Sequence, residues 1–266
     1  MYGVILPKRH KIKIFAGQQA AGRWLEKQGC TVTGAEEVYR ADYILLPMPL
    51  DAHRVGLARL LRAARPGTVA FGGRVSEAVQ AAGQAAGIPI WDYYRCDQLA
   101  QWNAVPTAEG CLALLLQNRP RTLWGSNVLV VGYGRIGRAL AVRLLGLKAQ
   151  VTVAARKPGV RAQAMADGCR AVDPAQLEKA AAQADCVVNT APALVITRGV
   201  LETLQPGTLV VDLASEPGGT DFAAARALGV RAMHALSLPA RFAPETAGEL
   251  VGRTVLQMIR EREEGA

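Results

Sequence analysis

Three glycines in a G-x-G-x-x-G arrangement constrain the fold of this chain most strongly. They follow the apolar run Val128–Val131. The segment from Arg135 to Leu145, which contains the third glycine, has the composition of a helix. Between a strand and a helix, Gly132 permits a tight turn, Gly134 lets the backbone approach a pyrophosphate, and Gly137 lets the helix pack on the strand. The helix N-terminus adds free N–H groups for an anion. The segment predicts a dinucleotide-binding loop, although a glycine-rich turn that binds nothing has the same pattern. The expected cofactor-binding residues of this loop are Gly132, Gly134, Arg135, Ile136 and Gly137.

Short β-rich runs alternate with Ala-rich helical stretches along the whole chain, which predicts βαβ units and parallel sheets. We expect an α/β protein with two doubly wound parallel-sheet domains, of which the second is a Rossmann dinucleotide-binding domain. The strands expected in the first domain are Ile12–Phe15, Tyr43–Leu46 (ended by Pro47 and Pro49) and Thr68–Phe71, and its helices cover about 18–28, 52–64 and 75–86. The strands expected in the second domain are Asn127–Val131, Gln150–Ala154, Cys186–Asn189, Leu209–Leu213 and Val230–His234.

The polar connector Asn118–Ser126 contains Pro and Gly and predicts the domain boundary. The domains would then cover residues 1–120 and 121–244. The C-terminal segment 245–263 has apolar residues along one side, which predicts a helix, and we expect this helix to pack back on the first domain. A cleft between the two domains would hold the substrate.

A long apolar helix is expected to precede the connector and to run to about Gln117. Pro106 and Thr107 are typical of a helix start, and Glu109 in the first turn would suit the positive end of the helix dipole.

Charge and cysteine content exclude several classes of function. The 266-residue chain has 31 Lys and Arg against 22 Asp and Glu, a net charge of +9, but no basic block, so we expect no nucleic-acid partner. Five widely spaced cysteines without a C-x-x-C pair favour a reducing, cytoplasmic compartment and argue against disulfides or a zinc site. His10, His53 and His234 are isolated, and a lone histidine is usually structural. No secretory signal or membrane-spanning run is found, so we expect no membrane partner.

The end of the second Rossmann strand predicts the choice of cofactor. An acidic residue there would bind the ribose 2′-hydroxyl of NAD. This chain has Arg156 and Lys157 instead, and two cations without a carboxylate suit the 2′-phosphate of NADP. The alternative is a solvated basic loop in an Arg-rich protein.

Two further strands of the second domain end in small and polar residues. The runs are Asn189–Pro192 and Asp212–Asp221. Ligands of open α/β sheets bind at the carboxyl ends of the strands, so polar side chains here would face the nicotinamide and the substrate. The alternative for Asn189 and Asp212 is turn formation and hydrogen bonding within the loops.

Several blocks occur in a fixed order along residues 94–256 and are specific in combination. They are Asn103–Gly110, the glycine-rich loop, Ala155–Lys157, Asn189–Pro192, Asp212–Phe222 and Leu238–Gly248. In these blocks the chain resembles the family of dipicolinate synthase A subunits. The resemblance implies an NADP-dependent dehydrogenase component that oxidises a dihydrodipicolinate-type heterocycle to pyridine-2,6-dicarboxylate in sporulation. It also implies a second subunit of flavoprotein-like type, and we expect a homo-oligomer.

Three segments depart from the family pattern, and one of them is the loop after Leu46–Pro49, which is shorter than in the family. The first strand of the family ends in a G-G-D-x-R-like loop, whereas Ala16–Ala20 contains neither Asp nor Arg. The P-G-L-P-G segment of the family is replaced by Leu236–Ala240. A diverged, catalytically eroded paralogue that binds NADP and serves as a binding or partner subunit is therefore the alternative hypothesis.

The candidate site residues divide into a substrate group and a cofactor group. In the substrate group, Arg241 is the best clamp for a carboxylate, because it is the only cation between Arg231 and Arg253. The general base is not identified. The candidate substrate contacts are Asn103, Thr107, Ser215, Arg241 and Thr246. The cofactor contacts expected beyond the glycine-rich loop and the basic pair are Thr190, Ala191, Pro192, Leu213 and Ala214.

Overall fold

The computed structural model describes residues 13–16, 18–46, 50 and 55–264. The chain divides into two compact units, each built on a parallel sheet. The first unit comprises residues 1–102 and 244–266, and the second comprises residues 103–243. The α/β class and the two parallel sheets expected from the alternating pattern are confirmed.

The first unit has a five-stranded sheet with the order β2-β1-β3-β4-β5. The strands are β1 (Lys13–Ala16), β2 (Thr31–Thr33), β3 (Tyr43–Leu45), β4 (Val69–Gly72) and β5 (Ile90–Asp92). The helices that connect or follow them are α1 (Gln19–Lys27), α2 (Val55–Ala63), α3 (Glu77–Ala85) and α4 (Asp97–Gln117). The two edge strands, β2 and β5, were not predicted, because each has only three residues and these mix polar with apolar types.

The second unit has a six-stranded sheet with the order β11-β10-β9-β6-β7-β8. The strands are β6 (Asn127–Val131), β7 (Gln150–Ala154), β8 (Arg170–Val172), β9 (Cys186–Asn189), β10 (Leu209–Asp212) and β11 (Arg231–His234). The helices are α5 (Arg135–Gly146), α6 (Pro158–Ala166), α7 (Leu177–Ala181), α8 (Arg198–Glu202), α9 (Phe222–Ala227) and α10 (Leu238–Phe242). The strand order reverses between β6 and β9, the point at which ligands bind in open sheets of this kind.

Alternate residues of the central strand β6 pack into different cores. Val130 lies in one cluster with Leu115 of α4 and Leu140 of α5, whereas Leu129 lies in another with Leu201 of α8. Burial on both faces explains why β6 is a continuous apolar run rather than an alternating one.

The long helix α4 begins earlier than the sequence predicted. It starts at Asp97, so Pro106 lies inside it and Glu109 lies well beyond its first turn. Proline at an interior position removes one backbone donor but does not end a helix that tertiary packing holds on both sides. The prediction of a start near Pro106 was wrong for this reason.

The boundary between the units lies between Trp102 and Asn103, inside α4, and not in the connector near residue 120. The second half of α4 buries Cys111, Leu114 and Leu115 in the same core as β6, so it belongs to the second unit. The connector marks the end of a helix, and its polar composition does not distinguish a loop inside a domain from a linker between domains.

The C-terminal helix α11 (Pro244–Glu264) belongs to the first unit. Its Val255 and Ile259 share a core cluster with Leu25 of α1. A Cβ at Gly248 would lie 2.4 Å from the Cβ of Ala20, so the two helices approach closely at that point.

Some predictions fall outside the described residues. These concern Ile12 at the start of the first predicted strand, Pro47 and Pro49 after the second, the helix start at 52–54, Gly17 of the departing loop, and the isolated histidines His10 and His53. None of the helices in the described ranges is both long and apolar enough to cross a bilayer.

Candidate functional site

The glycine-rich loop leaves the carboxyl end of β6 in a conformation that depends on glycine. Gly132 has φ of +92°, a region that side-chain-bearing residues rarely adopt, and a Cβ there would lie 2.6 Å from Thr190 Oγ1. A Cβ at Gly137 would lie 2.3 Å from the Gly132 carbonyl oxygen. The first and third glycines therefore allow the turn to close and the helix to pack against it.

The second glycine serves a different purpose. Gly134 precedes the first residue of α5, is exposed, and a Cβ built on it would meet no protein atom within 4 Å. The protein itself therefore does not require glycine here. A backbone without a side chain at a helix N-terminus is what a pyrophosphate needs in order to reach the free N–H groups, so the loop fits the predicted ligand.

A network of side-chain hydrogen bonds, which the sequence did not predict, connects the glycine-rich loop to the end of α6. The Tyr133 hydroxyl donates to Asp167 Oδ2 at 2.8 Å, and Arg138 Nε lies 2.9 Å from the same carboxylate. The hydrogen bond from Tyr133, assisted by Gln163 and Arg138, lowers the pKa of Asp167. Burial and the bond to Asp167 raise the pKa of Tyr133. The loop residue Tyr133 is thus tied to the end of α6.

The end of β7 carries the two predicted cations on an exposed turn. The side chains of Arg156 and Lys157 make no hydrogen bond or ion pair within the described part of the chain. Arg161 holds the turn in shape, because its Nη1 donates to the carbonyl oxygens of Ala155 and Arg156, both at 2.8 Å, and also pairs with Asp173 at 2.9 Å. Two cations thus remain available on a fixed backbone.

The loop after β9 contacts the glycine-rich loop directly. The Thr190 hydroxyl donates to the Val131 carbonyl oxygen at 3.0 Å, and the Thr190 N–H donates to the same oxygen at 2.8 Å. Thr190 and Ala191 are half-buried and Pro192 is exposed. The structure therefore brings two of the predicted cofactor contacts, Thr190 and Ala191, next to the turn at Gly132.

Asn189 and Asp212 do not face outwards, contrary to the expectation that they would meet the nicotinamide and the substrate. Both are fully buried, and Asn189 Nδ2 donates to Asp212 Oδ1 at 2.9 Å. The alternative of hydrogen bonding within the loops is the correct one. The last side chain of each strand here points into the sheet edge, where it bonds to loop backbone.

His234 also bonds to loop backbone. Its Nε2 lies 2.7 Å from the Ala214 carbonyl oxygen, which can only accept, so Nε2 carries the proton. The imidazole packs on Phe222, with 5.5 Å between ring centroids. Leu213 and Ala214, two predicted cofactor contacts, are buried.

Two of the substrate candidates lie on α4 and bond to each other. The Thr107 hydroxyl donates to the Asn103 carbonyl oxygen one turn earlier, at 2.6 Å, and Thr107 is only 9% exposed. This bond still leaves the Thr107 oxygen able to accept, and the amide of Asn103 has no bond within the described residues.

The other three candidates are exposed. The side chain of Ser215 has no hydrogen-bond partner in the described ranges, and the Arg241 guanidinium lies over the Phe242 ring, 5.5 Å from its centroid, without an ion pair there. Thr246 lies on α11 in the first unit. Among the residues that the structure describes, no three His, Cys, Asp or Glu side chains converge as a metal site.

Comparison with known proteins gives one family model, and its match lies within the second unit. Residues 107–214 match the family model of the D-isomer specific 2-hydroxyacid dehydrogenase NAD binding domain. The chain is 36% identical to the dipicolinate synthase A subunit of Bacillus subtilis (strain 168) over 165 residues, which are 62% of this chain and 56% of that protein. The aligned sequence thus spans little more than half of that relative's length.

Two crystal structures resemble the chain over most of its length. The dipicolinate synthase A subunit from Bacillus halodurans has a TM-score of 0.83 at 27% identity and covers 92% of this chain and 96% of its own. The A chain of dipicolinate synthase from Bacillus subtilis has a TM-score of 0.82 at 26% identity and covers 97% and 98%. The resemblance to the family of dipicolinate synthase A subunits is confirmed.

The dipicolinate synthase resemblance is supported at the cofactor end by both sequence and geometry. The matched NAD binding model includes the glycine-rich loop, the basic turn after β7 and the Asn189 and Asp212 strand ends. Together with the open backbone at Gly134, the match supports a nicotinamide dinucleotide as the cofactor and an oxidoreductase as the class of enzyme.

Proposed function

We propose that this chain is the NADP-dependent dehydrogenase component of a dipicolinate synthase-like enzyme. In this reaction a dihydrodipicolinate-type ring loses a hydride and a proton and becomes the aromatic pyridine-2,6-dicarboxylate. The observation that carries the proposal is the glycine-rich loop with its open approach at Gly134, in a chain 36% identical to a dipicolinate synthase A subunit. When bound, the cofactor supplies the hydride acceptor, and aromatisation of the ring supplies the driving force.

The adenosine end of the cofactor is assigned to the turn after β7. Arg156 and Lys157 are exposed, are not neutralised by any described carboxylate, and stand where an NAD-specific domain has an acid. A guanidinium binds a phosphate through two parallel hydrogen bonds, so Arg156 is the stronger of the two candidates. Arg161 acts indirectly, because it fixes the carbonyl groups of the turn.

The substrate end is assigned to Ser215 and Arg241 of the second unit. A dicarboxylate requires a cation, because an unpaired carboxylate removed from water is costly. Arg241 is not engaged in an ion pair within the described residues, and Ser215 offers a free hydroxyl on the exposed loop after β10. Asn103, Thr107 and Thr246 remain candidates for secondary contacts, and the general base is not assigned.

The partners of the chain follow from the family alone. The curated relative is named as one subunit of an enzyme, so we propose that the active enzyme contains a second subunit of flavoprotein-like type and that it functions in sporulation. Self-association into a homo-oligomer is part of the same proposal.

The direct test is an assay of absorbance at the nicotinamide band. Dihydrodipicolinate is generated in situ, and NADP is added to the chain alone and to the chain with the second subunit from the same genome. We expect substrate-dependent reduction of NADP in at least one of the two. Tight NADP binding without reduction in either arm would support the alternative of an eroded binding subunit, which the loss of Asp and Arg from the loop after β1 favours.

A further inference from the structure

The last residue of β10 is a buried carboxylate without a positive partner among the described residues. Asp212 is fully buried, and the groups that bond to it are uncharged donors. Its Oδ1 accepts from Asn189 Nδ2 at 2.9 Å and from the Ala214 N–H at 2.9 Å, and its Oδ2 accepts from the Gly219 N–H at 2.7 Å. Burial of an ionised carboxylate is costly unless donors replace the lost water, so this arrangement is a demanding one to maintain.

The two backbone donors come from the two ends of one loop. Ala214 and Gly219 flank the exposed residue Ser215, so a single carboxylate closes the loop that follows β10. Glycine is required at the closing end, because a Cβ at Gly219 would lie 2.4 Å from both Asn189 Nδ2 and the Ala193 carbonyl oxygen. The loop that follows β10 therefore packs closely against the loop that follows β9.

Asn189 extends the same network to that second loop. Its Oδ1 accepts from the Ala191 N–H at 3.0 Å and its Nδ2 donates to the Ala191 carbonyl oxygen at 3.1 Å. Thr190, between them, bonds to Val131 at the base of the glycine-rich loop. A continuous set of bonds therefore leads from Asp212 through Asn189 to the glycine-rich loop.

Ala214 is held from both sides. Its N–H donates to Asp212 and its carbonyl oxygen accepts from His234 Nε2 at 2.7 Å. The backbone at the start of the β10 loop consequently has no freedom to rotate without breaking one of two buried bonds.

We propose that Asp212 is a positioning residue for the nicotinamide half of the cofactor site. Its carboxylate fixes the β9 and β10 loops relative to each other while touching neither cofactor nor substrate itself. The inference rests on the proposed function, since it requires that the second unit binds a dinucleotide. It predicts that loss of the carboxylate weakens binding of the nicotinamide end of the cofactor and leaves binding of the adenosine end unchanged. The reason is the strand order: β9 and β10 lie on one side of β6, which leads into the glycine-rich loop, and β7, which leads into the basic turn, lies on the other side.

The test compares two probes by calorimetry on the full chain. NADP contains both halves of the ligand, whereas 2′-phospho-ADP-ribose lacks the nicotinamide. In Asp212→Asn the amide group faces donors with an N–H, so at least one buried hydrogen bond is lost and replaced by repulsion. We expect NADP affinity to fall by about tenfold or more, and the affinity for 2′-phospho-ADP-ribose to stay at the wild-type value.

The matched control is Asp185→Asn. Asp185 precedes β9 and accepts from the Asn127 N–H at 2.7 Å, at the amino edge of the same sheet, where no ligand is proposed. We expect this variant to bind both probes as the wild type does.

The variant Asn189→Ala provides a second, independent measurement. It removes the side chain that connects Asp212 to the β9 loop, so it should weaken NADP binding and leave the affinity for 2′-phospho-ADP-ribose unchanged. Equal losses for both probes in Asp212→Asn, or no loss for either, would overturn the positioning role. A wild-type chain that binds neither probe would instead overturn the proposed function, and the positioning role with it. If Asp212→Asn does not fold, the same comparison of probes in Asn189→Ala decides: a selective loss of NADP binding supports the role, and equal losses or no loss contradict it.

Discussion

The two parallel sheets have the same architecture, but the polar groups at their carboxyl edges differ in whether they are exposed or bonded within the protein. In the second unit, the strand-end loops leave the proposed ligand-binding groups exposed: the backbone at Gly134, the cations Arg156 and Lys157, and the hydroxyl of Ser215. The buried groups behind them serve to fix the backbone. This is the arrangement expected of a binding edge in a doubly wound sheet.

In the first unit, the polar groups described at the corresponding edge bond to one another. Gln18 Nε2 donates to the Leu46 carbonyl oxygen at 3.0 Å and to the hydroxyl of Tyr93 at 2.9 Å, and Tyr93 is fully buried. Asp92 accepts from the N–H groups of Arg74, Val75 and Tyr94 at 2.9 to 3.1 Å.

We infer from this difference that a carboxyl edge is available to a ligand only where its polar groups are not bonded within the protein. The loop after β1 is also the segment in which the family Asp and Arg are absent, and Gln18 of that loop is bonded within the protein. Substitutions in the second unit should therefore change ligand binding, and those in the first should change stability.

The largest effect is expected for Gly134→Val. A Cβ at this position meets no protein atom within 4 Å, so the fold should persist, but the valine side chain would occupy the approach of the pyrophosphate. Loss of two hydrogen bonds to the charged group, about 1.5–3 kcal/mol each, lowers NADP affinity by about 150- to 20,000-fold. Calorimetry measures this affinity. Gly146→Val, at the other end of α5 and equally open, should bind normally. Normal binding by Gly134→Val would show that the loop is only a structural turn.

A smaller effect is expected for Arg241→Ala. Removal of a cation that pairs with a substrate carboxylate should lower kcat/KM by about 30- to 1000-fold, or about 2–4 kcal/mol, and leave NADP affinity unchanged. Steady-state kinetics with the in-situ substrate measure it. Arg226→Ala removes an exposed arginine of the same unit and should have no effect. If the two variants behave alike, Arg241 is a solvated side chain that only covers the ring of Phe242.

A third variant, Arg156→Ala, addresses the choice between cofactors. We expect NADP to bind about 10- to 100-fold more weakly, because one charged hydrogen-bond pair of about 1.5–3 kcal/mol is lost, while NAD binding barely changes. Titrations with both cofactors separate the two. Arg170→Ala, at the amino end of β8, supplies the control for a change of net charge. A parallel loss for NAD and NADP would contradict recognition of the 2′-phosphate.

The smallest effect is expected in the first unit, for Gln18→Ala. It leaves the buried Tyr93 hydroxyl without its partner and should lower the free energy of unfolding by about 1 kcal/mol. Denaturant titration measures the loss, and NADP affinity should be unchanged. Gln28→Ala at the end of the same helix should alter neither quantity. A change in NADP affinity in Gln18→Ala would remove the contrast between the two edges.

The sequence predicted best where one local pattern requires one local geometry. The strands β6, β7 and β9 begin and end as predicted, and the glycine-rich loop lies between β6 and α5, because the run of apolar residues and the three glycines leave few alternatives. The edge strands β2, β5 and β8 escaped prediction because each has only three residues and these mix polar with apolar types. The equally short β3 was predicted, because its residues form a buried apolar run. The start of α4 was wrong because Pro106, a local signal, is overruled by packing on both sides of it.

Local patterns in the chain were enough to establish the α/β class, the position of the dinucleotide loop, and the replacement of the acid by Arg156 and Lys157. Which polar residues at the strand ends are exposed depends on the folded sheet. Asp212 and Ser215 are three residues apart and both polar, yet Asp212 is fully buried and Ser215 is exposed. The direction of the Asp212 side chain is set by hydrogen bonds to Asn189, Ala214 and Gly219. Asn189, on the neighbouring strand β9, and Gly219, at the far end of the loop, reach Asp212 only when the sheet has formed.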